Sequence, residues 1–452
     1  MTQSESIAPV KTAHRIAVID VLRGFAILGI LHLNMPLGNN VAWEIFADPR
    51  FNGWSELDQA AWVFLTVFTD GTMRGVLQLL FGAGLMLLSA KAMTPDGPVA
   101  IADVWYRRNI WLMAFGAFNA FVLLWPGDIL FAYGAAAILL FPFRLLKARW
   151  LLALGGAFLA YTVVMGVSGY LDRSAEAEFA QSAIAIEKRG GDLAKAQSEA
   201  VKEWNEAVAN RGMNPEFEER AREHRAAVTD PDPLVYITYS ASIWLYLWSD
   251  GEVLAFIIEA FFTMLIGMAL YKWGFVQGGS SSRVYWSVML VCYAFGWGTR
   301  AAGLPVYLEF TPEPEVTSLF GGLPRLAIAI GHIAALNLLM RSFAAGALTA
   351  SLGAAGRLAF TLYLMQSFIM QYIIGAPFAL GLFDQMNWAR VMWVSTLVIV
   401  AQVLFAIWWT SRFRFGPLEW IWRSLTHWQR QDMRIVEPRA KGKSAYGPQP
   451  AE

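Results

Sequence analysis

The sequence is short of charge: 15% of its residues are Asp, Glu, Lys or Arg, where soluble globular chains carry about 25%. With 56% hydrophobic residues and a mean hydropathy of +0.43, the deficit excludes an ordinary water-soluble domain and points to a bilayer as the solvent. Acidic and basic residues balance at 35 each, so no basic field exists to attract nucleic acid. The single cysteine, Cys292, excludes an internal disulfide and any CxxC or zinc spacing. The five histidines, His14, His32, His224, His332 and His427, are scattered, and no metal is expected. A Walker loop, an HExxH helix and a Ser-His-Asp order are also missing. The glycines of GAGLMLLSA lie in an apolar run with no strand before it, so they read as packing glycines.

What the chain has is apolar length. A helix needs roughly 20 apolar residues to cross a bilayer, and ten segments qualify: 16–38, 58–90, 104–125, 128–146, 149–171, 253–273, 284–303, 318–342, 355–376 and 388–411. The expected fold is therefore all-α, a polytopic membrane bundle of about ten transmembrane helices. The first segment outruns the apolar part of a signal peptide and has no A-x-A-like site behind it, so it is expected to be retained. With a cytoplasmic N-terminus, twenty Lys and Arg fall in inner loops and the C-terminal tail, against three, Arg50, Arg300 and Arg390, in the short outer loops. By the positive-inside rule both termini are expected in the cytoplasm.

This divides the chain into a tail (1–15), a five-span half (16–171), an insertion (172–252), a second five-span half (253–411) and a basic tail (412–452), disordered from about 434. Residues 172–233 hold fourteen Asp and Glu against nine Lys and Arg, with no proline before Pro215. That composition reads as one or two exposed helices, a periplasmic cap or simply a solvated spacer. Residues 234–249, LVYITYSASIWLYLWS, are apolar enough to tempt an eleventh span. Counting it would invert every later loop, so it is expected to be an interfacial or re-entrant helix, which its Tyr and Trp suit.

Ionisable residues inside spans are costly and usually face a bundle interior or water. Asp20 and Arg23 stand three apart and are expected to pair. At about 100° per residue, Asn34 falls roughly 20° from Arg23, whereas His32 falls about 180° away unless the helix bends. Asp70 and Arg74, four apart in a segment too long for one straight crossing, are expected to form the deepest charge pair, with an aqueous cavity beside it or a purely structural role. Arg107 and Arg108 open the third span where a phosphate could be held, though topology alone also accounts for them. Asp128 in WPGD suits either a base or a helix cap. Glu259, Arg325 and His332 are further intramembrane ionisables, and Tyr363, Gln366, Ser367 and Gln371 form a polar stripe that lines a path or bonds neighbouring helices.

Several blocks carry a resemblance: RIAVIDVLRGFAILGILHLN, LLFGAG, RRNIWLMAFGAFNAFVLLWPGDILFAYG, GRLAFTLYLMQSFIMQYIIG and RFRFGPLEWIWRSLT. Together they resemble the YeiB-like family of bacterial inner-membrane proteins, which carries a domain of unknown function numbered 418. That family in turn is distantly similar to multi-pass acyltransferases of the heparan glucosaminide acetyltransferase type, which begin with an Asp-x-x-Arg-Gly helix like Asp20 to Gly24. Many of these carry a histidine about eleven residues after the arginine, where this chain has Asn34. Asn119 likewise stands where many YeiB-like relatives are expected to have histidine. The resemblance implies a bacterial inner-membrane location, acyl-CoA as a co-substrate with no tightly bound cofactor, and an envelope glycan or lipid as acceptor. The donor would bind near Arg23, Arg107 and Arg108, and Asp70 or Asp128, with His32 if the helix bends, would deprotonate the acceptor hydroxyl. The alternatives are a small-molecule or lipid exporter with Asp70, Arg74 and His332 along its path, and a structural or regulatory protein whose cap binds a partner.

Overall fold

The structure is a computed structural model and describes residues 17–89, 99–210, 213–342 and 345–435. The 1–15 tail, Lys91 and the end of the chain from 436 lie outside the described residues. Among those described there is no strand beyond an isolated bridge between Phe413 and Arg434. The helices are α1 (Ala17–Gly29), α2 (Leu31–Asn39), α3 (Ala42–Ala47), α4 (Glu56–Phe64), α5 (Thr72–Ser89), α6 (Val99–Phe121), α7 (Leu130–Leu140), α8 (Ala148–Lys188) and α9 (Lys195–Ala209). They continue with α10 (Pro215–Thr229), α11 (Pro233–Ser249), α12 (Glu252–Lys272), α13 (Ser282–Leu308), α14 (Leu323–Leu339), α15 (Gly346–Arg357), α16 (Ala359–Phe368), α17 (Trp388–Thr410) and α18 (Pro417–His427).

By length and composition, five stretches could cross a membrane: Ala17–Asn39, Glu56–Ser89, Ala148–Lys188, Glu252–Lys272 and Trp388–Thr410. A sixth would be the pair Gly346–Arg357 and Ala359–Gly375, bent by 75°. The other four expected spans correspond to α6 and α13, long but diluted by charge, glycine, Trp and Tyr, and to the shorter apolar helices α7 and α14. The chain is thus a helical protein of membrane type.

The core forms around α1, α5 and α12. Leu22, Ala26 and Leu31 from the first helices, Leu79 and Ala83 from α5, and Met264 and Met268 from α12 have no exposed surface. Two crossings are set by glycine: α1 meets α15 at Gly24 and Gly356, and α5 meets α12 at Gly82 and Gly267, each against the opposing backbone. At the end of the bundle where α1 starts, here the near end, the Lys272 ammonium closes α12 by donating to the carbonyls of Arg144 and Leu146 at 2.7 and 2.6 Å. At the far end, where α2 finishes, the insertion emerges. Its first helix, α8, has 41 residues, roughly 60 Å at 1.5 Å per residue, twice the thickness of a hydrocarbon core of about 30 Å. The apolar part leaves Trp150, Tyr161, Val164 and Met165 exposed, as a lipid-facing surface would, and from Asp172 onward it is polar.

Candidate functional site

The segment 58–90 is not one helix. The α4 backbone loosens into a π turn over Leu65–Thr69, Asp70 leaves helical geometry at ψ 117°, and Gly71 follows at φ +63° before α5 restarts at Thr72. A side chain at Gly71 would also meet Arg325, whose Cδ lies 2.6 Å from the site of a Cβ. The carbonyls released by the break need donors, and Arg300 supplies them: its guanidinium donates to Thr66 and Val67 at 3.2 Å each and to Asp70 at 2.7 Å.

The break corrects the expected Asp70 and Arg74 pair. Spacing of i and i+4 brings side chains together only in continuous helix, and here the helix begins between them. Arg74 turns instead to Glu259 on α12, at 3.4 Å. Glu259 also binds Arg325 of α14 at 2.6 Å and accepts from Gln78 at 2.9 Å. One carboxylate is therefore shared by two guanidiniums from different helices.

Asp70 and Arg74 nevertheless line one cavity of about 300 Å³ at the far end. Its walls come from Ile30 and α2 (Leu33 to Gly38, with Asn34), the break around Asp70, the turn Leu124–Gly127, and Gln371 beyond α16. The helix α11 roofs it with Tyr236, Tyr239, Ser240, Ile243 and Leu247, and the Tyr236 hydroxyl donates to Gln371 Oε1 at 2.5 Å. The insertion adds His224 from α10, its ring stacked 5.0 Å from Tyr239. Burial, with Arg225 beside it, pushes the His224 imidazolium down to about 4, so the ring is neutral near pH 7.

Nothing in the acidic, Ala-rich insertion marked His224 as a cavity residue. Its place is set by Arg225, which grips Glu44 of α3 through both terminal nitrogens at 2.8 and 2.6 Å and reaches Asp384 at 2.8 Å. Trp43 packs against Phe217 and Tyr246 alongside. Arg225→Ala is expected to release α10, raising the rate of limited proteolysis within 195–229 about tenfold while the melting of the membrane part stays unchanged. Equal cleavage rates would mean that the clamp holds nothing.

The other expected site residues lie elsewhere. Asp128 caps α7: Oδ2 accepts from the Phe131 amide and Oδ1 from Asn119, both at 2.8 Å, and it does not line the cavity. His32 points away from Asn34, its Nδ1 2.6 Å from the Ser395 hydroxyl on α17, because the backbone stays helical through Ile30. His332 meets the Tyr293 hydroxyl at 2.9 Å. Gln366 donates to the Ile27 carbonyl and to Gln402, at 2.9 and 3.0 Å, as a tie between helices.

Asp20 and Arg23 pair at 3.6 Å at the near end. Arg107 pairs with Asp103 at 2.6 Å, and Arg108 stacks 3.8 Å over Trp422 of α18. The same helix brings Arg423 and His427. Burial first, then the charges of Arg423, Arg108 and Arg107, holds the His427 imidazolium below its ordinary range, and Arg23 lies within electrostatic reach of Arg108. The expected arginines thus share one basic end, to which α18 adds two members. Among the described residues no three His, Cys, Asp or Glu side chains are placed to hold a metal ion.

A family model described as "Protein of unknown function (DUF418)" matches residues 270–429, from the end of α12 through α18. The whole chain is similar to "Uncharacterized protein YxaH" of Bacillus subtilis (strain 168), 27% identical over 94% of this chain and 98% of that protein. It is also similar to "Uncharacterized protein YeiB" of Escherichia coli (strain K12), 26% identical over 91% and 96%. These matches support a YeiB-like DUF418 family for the chain. A further relative, "Uncharacterized 39.9 kDa protein in amylase 3'region" of Bacillus acidopullulyticus, is 23% identical over 93% and 96%. No solved structure matches. The DUF418 match takes in the Glu259 partner Arg325 and the Arg108 partner Trp422, while the cavity is built mostly from residues before it.

Proposed function

We propose that this DUF418 protein is a ten-span protein of the bacterial inner membrane, with both termini cytoplasmic, that transfers an acyl group from acyl-CoA to an envelope glycan or lipid. The orientation rests on the twenty-to-three excess of Lys and Arg in the inner segments over the short outer loops. The observation that carries the function is the placement of Asp70 and Arg74 in the wall of one mainly apolar cavity, at the end opposite the Arg23, Arg107 and Arg108 cluster.

In this reading the near-end arginines hold the phosphates of the donor, and the acceptor enters the far-end cavity. The Asp70 carboxylate takes the acceptor hydroxyl proton as that oxygen attacks the thioester carbonyl carbon. The carbon–oxygen bond forms, the carbon–sulfur bond breaks, and the proton leaves with the thiol of CoA. The Arg74 guanidinium in the same wall holds the acceptor in place. Asp70→Asn is expected to cut transfer from acyl-CoA by about 100-fold, the lower range for removing a general base, with unchanged melting. Full transfer by the well-folded variant removes Asp70 from the reaction.

The second reading is an exporter, favoured by the helix break at Asp70–Gly71 in the cavity wall. Discontinuous helices of this kind build the binding sites of many transporters. Movement of labelled lipid or envelope metabolite across proteoliposomes, with no covalent product, would select it.

A further inference from the structure

We propose that the far-end cavity binds an amphiphile with an anionic headgroup, a phosphate or carboxylate oxygen meeting the Arg74 guanidinium and the acyl chain lying on the apolar walls. The argument starts from charge. Arg74 and Arg325 share the single carboxylate of Glu259, and Arg325 has the closer contact, 2.6 against 3.4 Å. Gln78 donates to the same carboxylate at 2.9 Å, and the Arg74 Nε is buried with no partner. Two guanidiniums on one carboxylate leave one positive charge uncompensated inside the bundle, which is costly unless an anion answers it. Of these two arginines, only Arg74 lines the cavity.

The guanidinium is also held in place. It lies 4.8 Å over the Phe256 ring, and α5 begins two residues before it, adding the positive end of an 18-residue helix. Around it, Ile30, Leu33, Leu37, Ile243 and Leu247 suit an alkyl chain. About 300 Å³ is the small end for a ligand site, so the cavity takes a headgroup and the first carbons, with the chain continuing between helices. Asp70 in the same wall adds affinity for a headgroup that also offers a donor such as a hydroxyl. The proposal deepens the transferase reading by naming its acceptor class and rests on that reading only for the role of Asp70.

The test is binding without any acyl donor, on the full chain purified in a neutral detergent. Dioleoyl phosphatidylglycerol and oleate are compared with uncharged dioleoylglycerol by thermal shift and native mass spectrometry. At least one anionic probe should bind about tenfold more tightly than dioleoylglycerol, and which one does so separates a phosphate from a carboxylate source. Arg74→Gln should erase that preference, and Arg325→Gln, which leaves Glu259 to neutralise Arg74 alone, should weaken it. Ser240→Phe, which fills the roof, should weaken all three probes and controls for an Arg74 variant that fails to fold. Equal binding of charged and uncharged probes overturns the proposal. So does a preference that survives Arg74→Gln, one that Arg325→Gln leaves untouched, or binding untouched by Ser240→Phe. A chain that binds the anion through Arg74 yet transfers nothing would remove the transferase reading alone.

Discussion

Glu259→Ala is expected to destabilise the protein by about 3 kcal/mol, at the lower end of the range for removing one partner of a buried ion pair. The carboxylate is the only anion that either Arg74 or Arg325 contacts within 4 Å among the described residues. Without it two guanidiniums face each other across α5 and α14, and Gln78 loses its acceptor. The lower end applies because a quarter of the Glu259 side-chain surface remains accessible, which lets water repay part of the loss. Removing Arg325 as well should restore part of the stability, since the double variant no longer holds two unanswered charges. Melting of detergent-purified single and double variants checks this. A Glu259→Ala protein that melts like the parent would show that the cluster is solvated and that Arg74 carries no excess charge worth answering.

Spacing along a helix was a sound guide wherever the helix is unbroken. Asp20 meets Arg23 as expected, and Asn34 and His32 diverge, one to the cavity and the other to Ser395. The same rule failed for Asp70 and Arg74 because Gly71 interrupts the helix between them, and the real partner of Arg74 is 185 residues away. Glu259 stood out in the sequence as a carboxylate inside an apolar run, but no periodicity names its two arginines. Asp128 was legible as a cap because WPGD is turn chemistry followed by an apolar helix. His224 was not legible: it sits in a charged, Ala-rich stretch whose composition describes solvent exposure, and its burial depends on the Arg225 contacts to Glu44 and Asp384. The aromatic segment of α11 reads as an interfacial or re-entrant helix, and its Tyr236 and Tyr239 roof the cavity. The signal that would have found the site was the pairing of that aromatic segment with the break at Gly71.

Gly356→Ala is expected to cost at least about 3 kcal/mol, the upper range for forcing extra volume into a packed core. A Cβ on Gly356 would lie 1.7 Å from the Asp20 carbonyl oxygen and 2.9 Å from the Gly24 amide, so the obstacle is backbone on a neighbouring helix. Side chains swing aside, but here α1 or α15 must move as a body. The displaced segment carries Asp20 and Arg23, and the shift would extend to Leu22 and Ala26, which have no exposed surface. Gly353 on the same helix is the control: its Cβ would meet Val21 Cγ2 at 3.7 Å, an ordinary contact. There alanine should be neutral or stabilising, since glycine costs a helix interior up to about 1 kcal/mol relative to alanine. The pair separates close approach from helix propensity, because both substitutions add the same methyl group to the same helix. Gly356→Ala should lower the melting temperature by several degrees or more and Gly353→Ala should not; if the two variants melt together, α1 and α15 do not cross at van der Waals contact.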